Sequence, residues 1–208
     1  MLRYTCFIIM NTQQEENYWS NRYENQLTGW DIGYPSTPLK TYIDQLENKD
    51  LKILIPGAGN AYEAAYLFEN GFKNTHILDI SKIPLTAFVK KYSDFPKTQL
   101  LHGNFFEHEE QYDLIFEQTF FCSFPPTDEN RTAYAKKMHE LLKPNAKLVG
   151  LLFDMPLTGD MVKRPFGGTL EMYKKYFSPL FEIKVLERCY NSIESRAGKE
   201  LFVLFEKK

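Results

Sequence analysis

A short apolar run, Leu51 to Ile55, leads straight into Pro56-Gly57-Ala58-Gly59-Asn60, and a helical pattern begins at Ala61. Gly57 and Gly59 at such a turn let the backbone approach a bound molecule, while the helix start presents unpaired N–H groups. A dinucleotide fingerprint would place a third glycine three residues after the second, so that helix and strand pack closely. Tyr62 occupies that position. Its bulk weighs against a pyrophosphate-bearing dinucleotide and is compatible with S-adenosyl-L-methionine, which has no phosphate. A plain strand-to-helix turn is the other reading of the same residues.

Asp79 closes the next apolar run, about 20 residues beyond the glycines, where a carboxylate meets a ribose. Its two oxygens can accept both ribose hydroxyls. An acid in this place also caps helices, with Ser81 competing for that task. Asn104 and Phe105 follow a third run, and Gln118 with Phe120 and Phe121 a fourth. Asn104 could hydrogen-bond an adenine edge and Phe105 cover its face, with core packing the alternative for the phenylalanines.

These residues need a scaffold that gathers strand ends, and the chain has one. Leu51–Ile55, Thr75–Leu78, Gln99–Leu101, Tyr112–Phe116 and Lys147–Phe153 are apolar runs of the kind buried parallel strands show. Helical patterns over Pro38–Leu46, Ala61–Glu69, Ile83–Tyr92, Asp128–Leu142 and Leu170–Phe177 alternate with them. Phe181–Cys189 and Glu200–Glu206, joined by the polar stretch Asn191–Lys199, read as an antiparallel hairpin. The expected architecture is a single Rossmann-like α/β domain, a mostly parallel twisted sheet of about seven strands closed by a C-terminal antiparallel hairpin. Its ligands should lie at the carboxyl ends of the parallel strands. Residues 1–17 are expected to be an extension and 18–208 the domain.

Composition narrows the partners. Of 208 residues, 43% are hydrophobic and 25% charged, as in ordinary globular domains, and the net charge is −2 with the signs interspersed. No basic face is expected for nucleic acid or an anionic membrane, so a small-molecule substrate fits best. Cys6, Cys122 and Cys189 are widely spaced free thiols in expectation, and the histidines form no ligand pairs, so no metal is expected. The apolar start, Met1 to Met10, is shorter than the ~20 residues of a membrane span. It also lacks a cleavage signal, which points to a cytoplasmic protein, preferably a monomer. Met10 as the true start is a further expectation.

Tyr18-Trp19-Ser20-Asn21-Arg22-Tyr23 and Thr28-Gly29-Trp30-Asp31-Ile32-Gly33 resemble the N-terminal signature of the thiopurine methyltransferase family, notably its halide/thiol branch. The resemblance continues through Leu54–Asn60, Leu78–Ser81, Tyr112–Cys122, Arg131–Ala135 and Glu140–Pro144. It implies a methyltransferase that uses S-adenosyl-L-methionine, with Trp19, Tyr23 and Trp30 as an aromatic lid over the sulfonium. It further implies Gly57 at the methionine part, Asp79 at the ribose, Asn104 and Phe105 at the adenine, and Gln118 beside the cofactor. Arg131 falls at a substrate-side arginine of the family, although alone it reads as a surface helix residue paired with Asp128. The loop Gly159–Gly168 only partly matches the family's Gly-Gly-Pro-Pro-aromatic segment, which helps to cover the acceptor.

The expected acceptor is a small soft nucleophile, a thiol, bisulfide or halide, because no residue is expected to serve as general base. Arg131 would supply the cation, with Tyr34 and Phe166 as walls. Two alternatives stand beside this. A nicotinamide-dependent reductase would share the glycine turn and Asp79, but Tyr92 and Tyr134 lack the lysine four residues on that a proton relay needs. A binding module for adenosylmethionine without catalysis is the second.

Overall fold

The computed structural model describes residues 12–208. The apolar run 1–10, with Cys6 and the alternative start Met10, lies outside the described residues. Seven strands form one sheet in the order β3-β2-β1-β4-β5-β7-β6. They are β1 (Ile53–Pro56), β2 (Thr75–Asp79), β3 (Leu100–His102), β4 (Tyr112–Gln118), β5 (Leu142–Phe153), β6 (Phe181–Arg188) and β7 (Glu200–Lys207). β1 to β5 run parallel, and β7 inserts antiparallel between β5 and β6. The expected architecture is therefore present, terminal hairpin included.

Every residue of β1 and of β2 is buried, which explains the unbroken apolar sequence of β1, while β2 also buries Thr75, His76 and Asp79. Helices α2 (Thr37–Ile43), α3 (Tyr62–Glu69) and α4 (Lys82–Lys91) accompany the first half of the sheet, α5 (Asp128–Glu140) and α6 (Leu170–Phe177) the second. Two apolar clusters fill the layers, one containing Tyr134, Phe177 and Phe205, the other Leu39, Phe72 and Phe116. β5 begins at Leu142, five residues ahead of the expected start at Lys147, because Leu142 already pairs with Tyr112 before an irregularity in register. Pro144 and Asn145, the latter at φ 60, sit inside that irregular start, and the preceding helix ends at Glu140 and not at the expected Leu142, which is already strand.

One helix was not expected. α1 (Thr12–Glu24) runs across the anticipated boundary at residue 17, so residues 12–17 belong to the same helix as the tryptophan signature. None of its residues is buried. It is held by polar contacts, including Ser20 to Ser81 at 2.9 Å and Glu16 to His102 at 3.1 Å. Among the described residues no helix is long and apolar enough to cross a membrane, and no group of three or more His, Cys, Asp or Glu is arranged for a metal ion.

Candidate active site

The sheet reverses its winding between β1 and β4, and a cavity of about 470 Å³ opens there beyond the carboxyl ends of the strands. That is where open α/β sheets bind ligands, and the volume falls in the range of small-molecule sites. α1 and the segment around Trp30 lie over it.

The glycine turn forms the floor. Gly57 and Gly59 both adopt positive φ, 59° and 54°. A Cβ on Gly57 would collide with the Phe120 ring, so its lack of a side chain first serves the protein's own packing. At Gly59 the nearest atom to such a Cβ is the Tyr23 hydroxyl, 3.1 Å away. The Gly59 N–H donates to Asp79 Oδ2 at 2.9 Å and the Ser81 N–H to Oδ1 at 2.8 Å. Asp79 thus ties the turn to the end of β2. Its carboxyl lies above the usual carboxylate range because burial outweighs these two donors. Each oxygen keeps acceptor capacity for a further donor. Capping of α4 falls to Ser81, whose hydroxyl accepts from the Ile83 N–H, so Asp79 is free of that task.

Trp19, Tyr23 and Trp30 come together on the opposite wall. Trp19 meets Trp30 edge-on with centroids 5.4 Å apart, and Tyr23 meets Trp30 at 5.7 Å. The Tyr23 phenol is raised above its ordinary pKa by burial and by the nearby Asp79, and remains protonated at neutral pH. Asn104 lines the cavity, but its side chain is committed: Oδ1 accepts from the Phe106 N–H, and Nδ2 donates to Thr12 and Glu107. Phe105 serves both readings at once, an edge of the cavity and a buried member of the core beside Tyr134. Gln118 and the half-exposed Tyr34 also line it, and Gln118 accepts from the Ser36 hydroxyl at 3.4 Å.

Two expected acceptor-side residues lie elsewhere. Arg131 is fully buried and absent from the cavity wall. Its Nη1 donates to the Phe121 carbonyl at 3.0 Å and Nη2 to that of Gly167 at 3.1 Å, with the guanidinium 4.0 Å from the Phe121 ring centroid. It staples the turn after β4 to the loop before α6. The Asp128 pairing fails too, since Asp128 binds Lys175 and Tyr176. Phe166 is likewise buried and does not line this cavity, because its backbone is drawn inward by an N–H bond to the Cys122 carbonyl at 2.8 Å.

Other residues take their places on the wall. Arg164 lines the cavity and pairs with Glu15 at 2.8 Å, while Arg196 bonds the Trp30 carbonyl and Glu200. Glu63, buried in the first turn of α3, accepts from the Ser36 N–H at 2.9 Å. Cys122 donates to the Thr119 carbonyl, and burial pushes its thiol up to about 12, so it stays protonated and inert. No histidine lines the cavity among the described residues.

A Rossmann-like sheet with a glycine turn, a buried strand-end aspartate and an aromatic wall at its switch point defines an S-adenosyl-L-methionine-dependent methyltransferase. The chain belongs to the thiopurine S-methyltransferase family, whose sequence pattern matches residues 14–207. It is 31% identical over 169 residues to a probable thiol methyltransferase 2 of Arabidopsis thaliana, covering 78% of this chain and 72% of the relative. It is 31% identical over 193 residues to thiocyanate methyltransferase 1 of Brassica oleracea, covering 89% and 83%. Among solved structures, the Burkholderia thailandensis 1,6-didemethyltoxoflavin-N1-methyltransferase, determined with S-adenosylhomocysteine bound, shares the fold with a TM-score of 0.71 at 15% identity, over 93% of this chain and 87% of that one. Neither the reductase nor the non-catalytic alternative is favoured by these likenesses.

Proposed function

We propose that the enzyme methylates a small soft nucleophile, a thiol, bisulfide or halide, held at the end of the cavity formed by Phe106, Phe120, Phe124 and Pro125. The observation that carries this is the make-up of that end: aromatic rings, a protonated Cys122 and the Arg164 cation, with no histidine, and with the carboxylate beside that cation, Glu15, bound through both oxygens to Arg164 and Trp19. An alcohol or catechol would need a general base or a metal to lose its proton. A thiol loses its own readily, and a halide has none to lose. The thiol and thiocyanate methyltransferases among the relatives support the same class.

The residues present fit the cofactor. Asp79, with unused acceptor capacity on both oxygens, would take the ribose hydroxyls, and the backbone at Gly57 and Gly59 would run beside the methionine part. Trp19, Tyr23 and Trp30 would offer ring faces to the cation. Asn104 would act by fixing the turn that carries Phe105, since its own polar atoms are committed. Gln118 would line the passage between cofactor and acceptor, and Tyr34 the rim. Bound adenosylmethionine supplies a methyl group on a sulfonium, whose departure leaves a neutral thioether that needs no proton. The protein's work is to hold the acceptor in line and keep water out.

The acceptor class is tested by competition among a thiol, iodide, a catechol and a primary amine at equal concentration, with labelled cofactor. Thiol and iodide should be methylated fastest; preference for the catechol or the amine would discard the class. Asp79→Ala should weaken S-adenosylhomocysteine binding by roughly 1.5–3 kcal/mol, the worth of hydrogen bonds to a charged group. Titration calorimetry giving the wild-type affinity would remove Asp79 from the ribose site.

A further inference from the structure

Three arginines touch the cavity, and their partners differ. Arg22 lies over Trp30 on the aromatic wall, 5.5 Å from its centroid, and its side chain donates to no described residue, its buried Nε included, so among them the ring contact alone holds it. Arg196 has both terminal nitrogens committed, to Glu200 and to the Trp30 carbonyl. Arg164 is different. Its Nε donates to the Ser123 carbonyl at 2.7 Å and its Nη2 to Glu15 Oε1 at 2.8 Å. Its Nη1 donates to no described residue. The other oxygen of Glu15 accepts from the Trp19 indole N–H at 3.1 Å, so both carboxylate oxygens are bound to protein donors while the guanidinium keeps donors to spare.

The group is also held in place. It lies 4.5 Å from the Tyr18 ring centroid and 5.6 Å from that of Trp19, and its side chain is only 9% exposed. The loop that bears it is pinned at its neck by paired N–H···O bonds between Met155 and Gly168, by the Phe166 to Cys122 bond, and by Arg131 on the Gly167 carbonyl. Ser123, which anchors Nε, stands between Cys122 and Phe124 at the aromatic end of the cavity. A guanidinium is less strongly hydrated than an ammonium, which suits large, soft anions.

We infer that Arg164 determines specificity by charge, its Nη1 receiving the anionic acceptor, thiolate, bisulfide or halide, at the aromatic end of the cavity. This rests on the acceptor class proposed above. A lone pair of the anion forms the bond to the methyl carbon as the carbon–sulfur bond breaks and its electron pair passes to sulfur. One positive and one negative charge become two neutral products, and no proton moves. The anion must be drawn into a partly desolvated site, where a fixed cation attracts it more strongly than in water. Glu15 holds that cation still and, as its counter-charge, moderates the attraction.

The experiment compares the full-length wild type with Arg164→Met, Arg164→Lys and Glu15→Gln, measuring KM and kcat for iodide and bisulfide and the affinity for S-adenosylhomocysteine. Arg164→Met should raise the KM for both anions by about tenfold or more, the factor expected when a hydrogen bond to a charged group is lost. The affinity for S-adenosylhomocysteine should stay unchanged, and Arg164→Lys should recover part of the loss. Glu15→Gln, which removes the counter-charge, should lower the anion KM, and it keeps the idea testable if Arg164→Met does not fold. An unchanged anion KM in Arg164→Met, or a raised one in Glu15→Gln, overturns the role of Arg164 alone. A wild type that methylates neither anion overturns the acceptor class and this role with it.

Discussion

Arg131→Ala is expected to cost roughly 3 kcal/mol of stability, because the Gly167 carbonyl is left unpaired in a buried place, at about 1–3 kcal/mol, and the Phe121 carbonyl keeps only the Phe124 N–H at 3.4 Å. Arg131 itself meets the Phe121 and Gly167 carbonyls at 3.0 and 3.1 Å. In a chain of this size each kcal/mol moves the melting temperature by roughly 2–4 °C, so a fall on the order of 10 °C should appear in thermal melts. Arg131→Lys should not restore it, since an ammonium cannot reproduce a planar fork that reaches two carbonyls on different segments. The loop it staples carries Arg164, so acceptor KM should rise together with the loss of stability. A variant of wild-type stability and raised acceptor KM would return Arg131 to the acceptor itself.

That reversal illustrates what could be read from the chain alone. The glycine turn, Asp79 and the aromatic residues of the N-terminal signature were legible because each is a local pattern: a strand end, a fixed spacing, a motif. Leu170–Phe177 was legible to the residue, bounded by Thr169 as its cap and by the buried Phe177. Arg131 was not, because an arginine on a polar helix looks the same whether it meets solvent, a substrate or the backbone of two loops. Three-dimensional approach decides among these, here 10 and 36 residues along the chain. Arg164 meets Glu15 across 149 residues, in a loop whose sequence departs from the family pattern, and no spacing announced it. α1 escaped for a different reason. It buries none of its residues, so it carries no apolar stripe for periodicity to detect. Its reason for being helical lies in what its inner side chains cover.

Gly57 shows the same limit in the floor of the site. Positive φ there was foreseeable from the turn, yet the occupant of the missing Cβ's space is Phe120, a neighbour supplied by the turn after β4. Phe120 is in turn fixed by Glu117, whose Oε1 accepts its N–H at 2.5 Å and that of Phe121 at 3.2 Å. The other Glu117 oxygen accepts from the Tyr134 hydroxyl at 2.6 Å. Gly150, its partner in register on β5, leaves the room, since a Cβ there would collide with Glu117. A glycine in one strand thereby admits a buried acid in the next, and the acid shapes the turn at the cavity.

Glu117 should consequently make stability fall as pH rises. Burial without a cation pushes its carboxyl from 4.5 up to about 7, three hydrogen-bond donors notwithstanding. Between those values the folded chain holds a proton that the unfolded chain releases. The contribution is therefore full below about pH 4.5 and is lost as pH rises through about 7. It amounts to about 3 kcal/mol at most. The protonated acid keeps its partners by turning the Tyr134 hydroxyl from donor to acceptor, and a glutamine amide can do the same. Glu117→Gln should accordingly fold and lose this titration. His76, His108 and His139, each lowered by burial, act with the opposite sign on the acid side, but they are common to both proteins and cancel in the difference. Melting curves of wild type and Glu117→Gln between pH 5 and 8 should then diverge, the wild type falling several degrees further as the pH is raised. Parallel curves across that range would mean that Glu117 ionises in the folded protein as it does in the unfolded chain, and that its three donors do offset its burial.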